Sequence, residues 1–190
     1  MTDIKQLFGS YNICARSAPG FLFVVALYFL LGYDIRYLES NSVVFIILII
    51  TLSNVAGFTS STLIKVVEQQ CIWRIFGNPT ILYLKCCQEE LYKELLEKYK
   101  DDNKIMTDIR KTTREDSKLF WKNVNYGFFR NSVLLSIACL FFSYQTQYFC
   151  WNLGICLFVV FMTCVSSYYY AHQAIESYKE ITLKDKANAK

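Results

Sequence analysis

The sequence predicts an all-α integral membrane protein with four transmembrane helices in two hairpins and a central helical cytoplasmic insertion. Three observations predict it. Hydrophobic residues make up 54% of the 190-residue chain and charged residues only 19%, against about 25% charged and about 45–50% apolar in an ordinary soluble domain. The charge is segregated, because Ser17–Tyr33, Ser40–Ile64 and Asn131–Ile175 contain no Asp, Glu, Lys or Arg. Finally, a single topology places every Lys and Arg except Arg36 on one side of a membrane.

A helix crosses a hydrocarbon core of about 30 Å with about 20 apolar residues. The run "PGFLFVVALYFLLG" within Ser17–Tyr33 sits at the short end of that requirement. It is expected to be a retained helix and not a cleaved signal, since "GYDIRYLES" has no small-x-small pattern and a second apolar segment follows at once. Ser40–Ile64 is long enough to cross and has a polar second half. In Asn131–Ile175 the polar "SYQTQ" (Ser143–Gln147) marks a tight turn between two helices. The expected division is residues 1–65 for the N-terminal tail and first hairpin, 66–127 for the insertion, 128–175 for the second hairpin and 176–190 for a cytoplasmic tail.

Lys and Arg in short flanking loops set orientation. Lys5 and Arg16 precede the first span, basic residues crowd Lys65 to Arg130, and Lys179, Lys184, Lys186 and Lys190 follow the last. The first loop has only Arg36 and the turn near Ser143 has none. Both termini and the insertion are therefore expected in the cytoplasm, with the spans in a bacterial inner membrane. Of the eight cysteines only Cys150 approaches the outer side, so no disulfide framework is expected. The adjacent Cys86–Cys87 lacks the second pair or nearby histidine of a zinc site.

The insertion mixes acidic with basic side chains, which argues against a stripe that binds nucleic acid. In "GNPTILYLKCCQEELYKELLEKYKDDNK", Asn78 is an N-cap, Pro79 suits the first helical position, and "DDNK" ends the helix. Leu84, Cys87, Leu91 and Leu95 recur on one face. Glu89–Lys93 and Glu94–Lys98 have favourable i,i+4 spacing. "KIMTDIRKT" is expected to be a loop or short strand. Thr113, three residues before Asp116, predicts a cap for a last helix from about Arg114, running through Phe120, Trp121 and Tyr126 into the third span.

Catalysis needs a positioned nucleophile, base or metal, and few candidates exist. The lone histidine, His172, sits beside Tyr168–Tyr170 where the fourth helix is expected to leave the membrane, which suits an interfacial residue. No Gly-rich phosphate loop occurs, and no carboxylate falls inside an expected span. No enzymatic activity, cofactor or metal is expected. In the second span Ser53, Gly57 and Ser61 repeat at i, i+4 and i+8 beside Ser60. Such a face permits close helix packing, within one bundle or between identical subunits. The other reading is a polar, pore-lining wall, with Thr163, Ser166 and Ser167 as its match on the fourth helix.

"FWKNVNYGFFRNSVLL" combines aromatics, a base and Asn-Tyr-Gly where the third span begins. Phe120, Trp121, Tyr126, Phe128 and Phe129 suit a headgroup layer, and Arg130 suits an anchor there. Gly127, costing about 1 kcal/mol against Ala in a helix, predicts a kink or close backbone contact. Asn125 and Asn131 are expected to hydrogen-bond the "GNPT" turn. Together Asn125, Tyr126, Gly127, Arg130 and Asn131 form an expected interfacial hinge.

"ARSAPGFLF", "FGNPTILYLK" and "WKNVNYGFFRNSV" together resemble a family of small bacterial membrane proteins. That family has an Ala-Pro span start, a Gly-x-Pro-Thr turn and an Asn-x-x-Tyr-Gly-Phe-Arg-Arg-Asn signature. Here Phe129 stands where a basic residue is usual. By its four-span architecture and size, the chain also resembles the membrane component of the Kiwa antiphage system. That resemblance implies a homo-oligomer, taken as a tetramer, that senses phage at the membrane and recruits a soluble cytoplasmic partner. Glu89, Glu90, Lys93, Glu94 and Glu97 then become candidate partner-docking residues, although the same pattern is also that of a solvated helix face. The alternative function is a channel or pore-forming effector that perturbs membrane permeability.

Overall fold

The structure, a computed structural model, describes residues 9–32 and 42–188. Lys5, Arg36 and Lys190 lie outside the described residues. No strand occurs among the described residues. Helix α1 (10–30) comprises a short α-turn Ser10–Asn12, a π-helical segment Ile13–Ser17 and the α-helix Ala18–Leu30. Pro19 accounts for the irregularity. Its ring clashes with the carbonyl four residues earlier and offers no N–H to it, so the backbone widens into a π-turn just before it.

Helix α2 (Ser42–Val67) continues through a π-helical segment, Glu68–Ile72, into α3 (Trp73–Phe76), past the expected end at Ile64. Gly77, at φ 87°, breaks the run in a region that disfavours L side chains. Helix α4 (Pro79–Cys87) starts as expected, with the Asn78 side chain accepting from the Thr80 N–H at 3.0 Å. The single long helix expected after Pro79 is split at Gln88, giving α5 (Glu89–Tyr99). The break carries Cys87 off the shared apolar face, and it is exposed.

The expected loop or strand near Lys104 is instead helix α6 (Asp102–Thr112), capped by the Asp101 side chain. It folds because Ile105, Met106 and Ile109 line up on one buried face. The expected cap at Thr113 also moves. Its hydroxyl donates back to the Ile109 carbonyl at the end of α6, while Asp116 caps α7 (Ser117–Phe142) by accepting from the Lys118 N–H at 2.8 Å. Residues 143–148 form the expected turn, and α8 (Phe149–Asn188) follows. Its 40 residues extend about 60 Å at about 1.5 Å each, roughly twice a hydrocarbon core. The helix therefore does not end at Ile175, where a separate tail was expected to begin.

Two compact units are each assembled from segments distant in sequence. The first comprises Met1–Val67 and Val124–Thr163, the second Glu68–Asn123 and Cys164–Lys190. In the first unit α1 and α2 touch backbone to backbone. A Cβ on Gly20 would overlap the Ser53 carbonyl, and one on Gly57 would overlap the Arg16 carbonyl. The Ser17 hydroxyl, donating to Asn54 Oδ1 at 2.6 Å, adds a polar tie across the same contact.

The second unit has its own apolar core, centred on Leu84, Leu95, Ile105, Ile109 and Ile175, with Ala171, Ala174 and Tyr178 of α8 in the same cluster. Polar bonds surround it. The Tyr178 hydroxyl donates to Asp108 at 2.8 Å, Lys179 to Gln88 Oε1 at 2.6 Å, and Ser177 to Asp116. Both Lys85 and Tyr92 reach Asp102 at 2.9 Å.

Candidate functional site

The most tightly specified group of polar residues lies in the first unit, around Asn131. An α-helix would pair the Ala15 carbonyl with the N–H of residue 19, and residue 19 is proline. Pro19 cannot give that carbonyl the N–H an α-helix would, which favours a donor from a neighbouring helix. Asn131, fully buried on α7, donates its side-chain amide to that oxygen. Its own backbone carbonyl accepts the Ser60 hydroxyl of α2 at 2.6 Å. One residue thereby ties the π-turn of α1, the small-residue face of α2 and α7.

Glycines make the approach possible. Gly57 admits the Arg16 backbone, and a Cβ on Gly127 would meet the Tyr11 hydroxyl at 2.9 Å and the Ala15 Cβ at 3.0 Å. The close contact expected at Gly127 is present, and α7 stays helical through it. The partner expected for Asn131 is corrected: it is the Ala15 carbonyl, not the "GNPT" turn, because Pro19 leaves that oxygen in need of a donor. Asn125 is exposed, whereas Tyr126 is buried. Arg130 stacks over the Tyr126 ring at 5.4 Å and points its Nε and Nη2 at Asn131 Oδ1 at a long 3.4 Å.

Of the candidate helix-packing or pore-lining residues, Ser53, Ser60 and Ser61 are buried inside the unit, and Gly57 is pressed on the Arg16 backbone. Ser53 bonds the Ile49 carbonyl of its own helix at 2.6 Å. The candidate docking residues Glu89, Glu90, Lys93, Glu94 and Glu97 all lie exposed on α5 in the second unit. Glu89 pairs with Lys93 at 2.6 Å. His172 is exposed, with its ring edge-on to Tyr83 at 5.6 Å.

Sequence reasoning missed two features of the junction. The π-turn was foreshadowed by Pro19, which marks a carbonyl four residues back without a donor. Arg16 was read only as a flanking charge. Its guanidinium lies over the rings of Tyr11 at 5.7 Å and Phe58 at 5.1 Å, and its Nε is buried without a hydrogen-bond partner. Among the described residues no group of three or more His, Cys, Asp or Glu is placed to hold a metal ion.

The class this defines, among the described residues, is an all-helical protein with four helices long and apolar enough to cross a membrane: Ser10–Leu30, Val43–Cys87, Ser117–Phe142 and Phe149–Lys184. No protein family, curated protein or solved structure matches the chain.

Proposed function

We propose that the chain is an inner-membrane scaffold that oligomerises and recruits a soluble cytoplasmic partner. Its helices cross in two hairpins, with both termini and the 66–127 insertion in the cytoplasm. The Lys and Arg distribution supports that orientation. The observation that carries the scaffold reading is the second unit. It is a small helical body with a core of its own, and it leaves the charged face of α5 unused by its packing. The setting in bacterial antiphage defence, and the tetrameric state, are supported by the sequence resemblance alone. The channel alternative drew its support from the small-residue face of α2. Ser53, Ser60 and Ser61 are buried within the chain, and that burial favours the scaffold.

The test reverses the face. In a chain carrying Glu89→Lys, Glu90→Lys, Glu94→Lys and Glu97→Lys, membrane insertion should persist while co-purification of the soluble partner from the native host is lost. Undiminished co-purification would refute the docking assignment.

A further inference from the structure

Among the described residues Arg16 is a cation without a counter-charge. Arginine keeps its proton at any accessible pH, yet among the described residues it makes no ion pair, and its buried Nε meets no acceptor. The hydroxyl of the next residue, Ser17, is engaged elsewhere, donating to Asn54. Stacking over Tyr11 and Phe58 fixes the guanidinium plane, but aromatic faces do not neutralise it. Arg16 is half-buried, and a guanidinium held in a fixed plane is the geometry that binds phosphate through its two terminal nitrogens.

The surroundings indicate where that phosphate comes from. Arg16 stands at the start of the first spanning helix, and Phe21 and Leu22, one to two turns further along, are about half exposed, at 47% and 55%. A cation at the head of an apolar helix that exposes large side chains further along complements a molecule with a phosphate head and hydrocarbon tails. We propose that Arg16 binds the phosphate of an anionic phospholipid, the head meeting the terminal guanidinium nitrogens and the tails lying along the exposed face of α1. This rests on the membrane placement above, so insertion is measured separately, by alkaline extraction of membranes.

The probe is phosphatidylglycerol, followed by native mass spectrometry of the detergent-purified full chain. Wild type should retain bound phosphatidylglycerol, and Arg16→Gln should lower that retention about tenfold or more, as expected for loss of a charge-assisted contact. Arg16→Lys, which keeps charge without the planar fork, should fall between them. Phe58→Leu should weaken retention by freeing the guanidinium while leaving the charge in place, and it keeps the test decisive where Arg16→Gln fails to insert. Equal retention by inserted wild type and Arg16→Gln overturns the proposal. Inorganic phosphate that binds and displaces the lipid at millimolar concentration overturns the lipid assignment in favour of a free-anion site.

Discussion

Gly57→Ala tests the contact on which the first unit is built. Alanine normally stabilises a helix over glycine by about 1 kcal/mol, so propensity alone predicts a gain. The structure predicts a loss. The added Cβ would overlap the Arg16 carbonyl oxygen and lie 2.7 Å from its carbon, where ordinary contact begins near 3.4 Å. Both obstacles are backbone, so no rotamer relieves them, and α1 must move off α2. Overpacking of this kind costs about 1–3 kcal/mol, and a clash against main chain belongs in the upper part of that range. After the propensity gain the net loss is about 1–2 kcal/mol, a factor of roughly 5–30 in the unfolding equilibrium. Gly154→Ala is the matched control, since a Cβ there meets nothing within 4 Å and only the propensity term should remain. Reversible unfolding in mixed micelles, read by far-UV circular dichroism, gives both values. Gly57→Ala matching or exceeding the wild type would refute the backbone contact. Gly20→Ala opens the same interface against Ser53 and should therefore be less than additive with it.

Two further changes probe other parts of the chain. Asn131→Leu keeps the size of the side chain but leaves the Ala15 carbonyl buried without a donor, which should cost about 1–3 kcal/mol. Ser60→Ala, removing one hydroxyl bond to a carbonyl, should cost about 0.5–1.5 kcal/mol; equal costs in the same unfolding assay would contradict the special role given to Pro19. In the second unit, the hydroxyl of Ser177, followed by the N–H groups of Lys118 and Leu119, holds the Asp116 carboxyl below the ordinary aspartate range. A depressed folded-state value stabilises above the unfolded pKa of about 3.9 and is lost as pH falls through that value towards the folded one. Ser177→Ala should thus destabilise at neutral pH and converge with wild type in strong acid, followed by acid titration of ellipticity. A pH-independent difference would show that the bond acts without the charge.

The four long apolar helices were legible because lipid would impose one simple demand: a segment without charge must be long enough and helical enough to satisfy its own backbone. The turn at Ser143–Gln147 and the cap formed by Asn78 and Pro79 were legible for similarly local reasons. Helix α6 was not. Ile105, Met106 and Ile109 are too few among polar neighbours to announce a helix, and their burial against other elements, not propensity, stabilises it. The continuation of α8 beyond Ile175 was hidden by its polar composition, although Ala171, Ala174, Ile175 and Tyr178 already have the i, i+3, i+4, i+7 spacing of a buried stripe.

The junction at Asn131 was half legible, and the missing half has a physical cause. Pro19 announces that the Ala15 carbonyl lacks its α-helical donor, and in so apolar a helix that oxygen favours a donor from another element. Local sequence does not say which element provides it, since Ala15 and Asn131 lie 116 residues apart. The useful clue is a pair. An asparagine can reach a backbone only where its own helix comes close, and Gly127, one turn earlier on the same face, provides that approach against Tyr11 and Ala15. Pro19, Gly127 and Asn131 are thus three parts of one contact: one removes a donor, one lets the helices close, and one supplies the donor back.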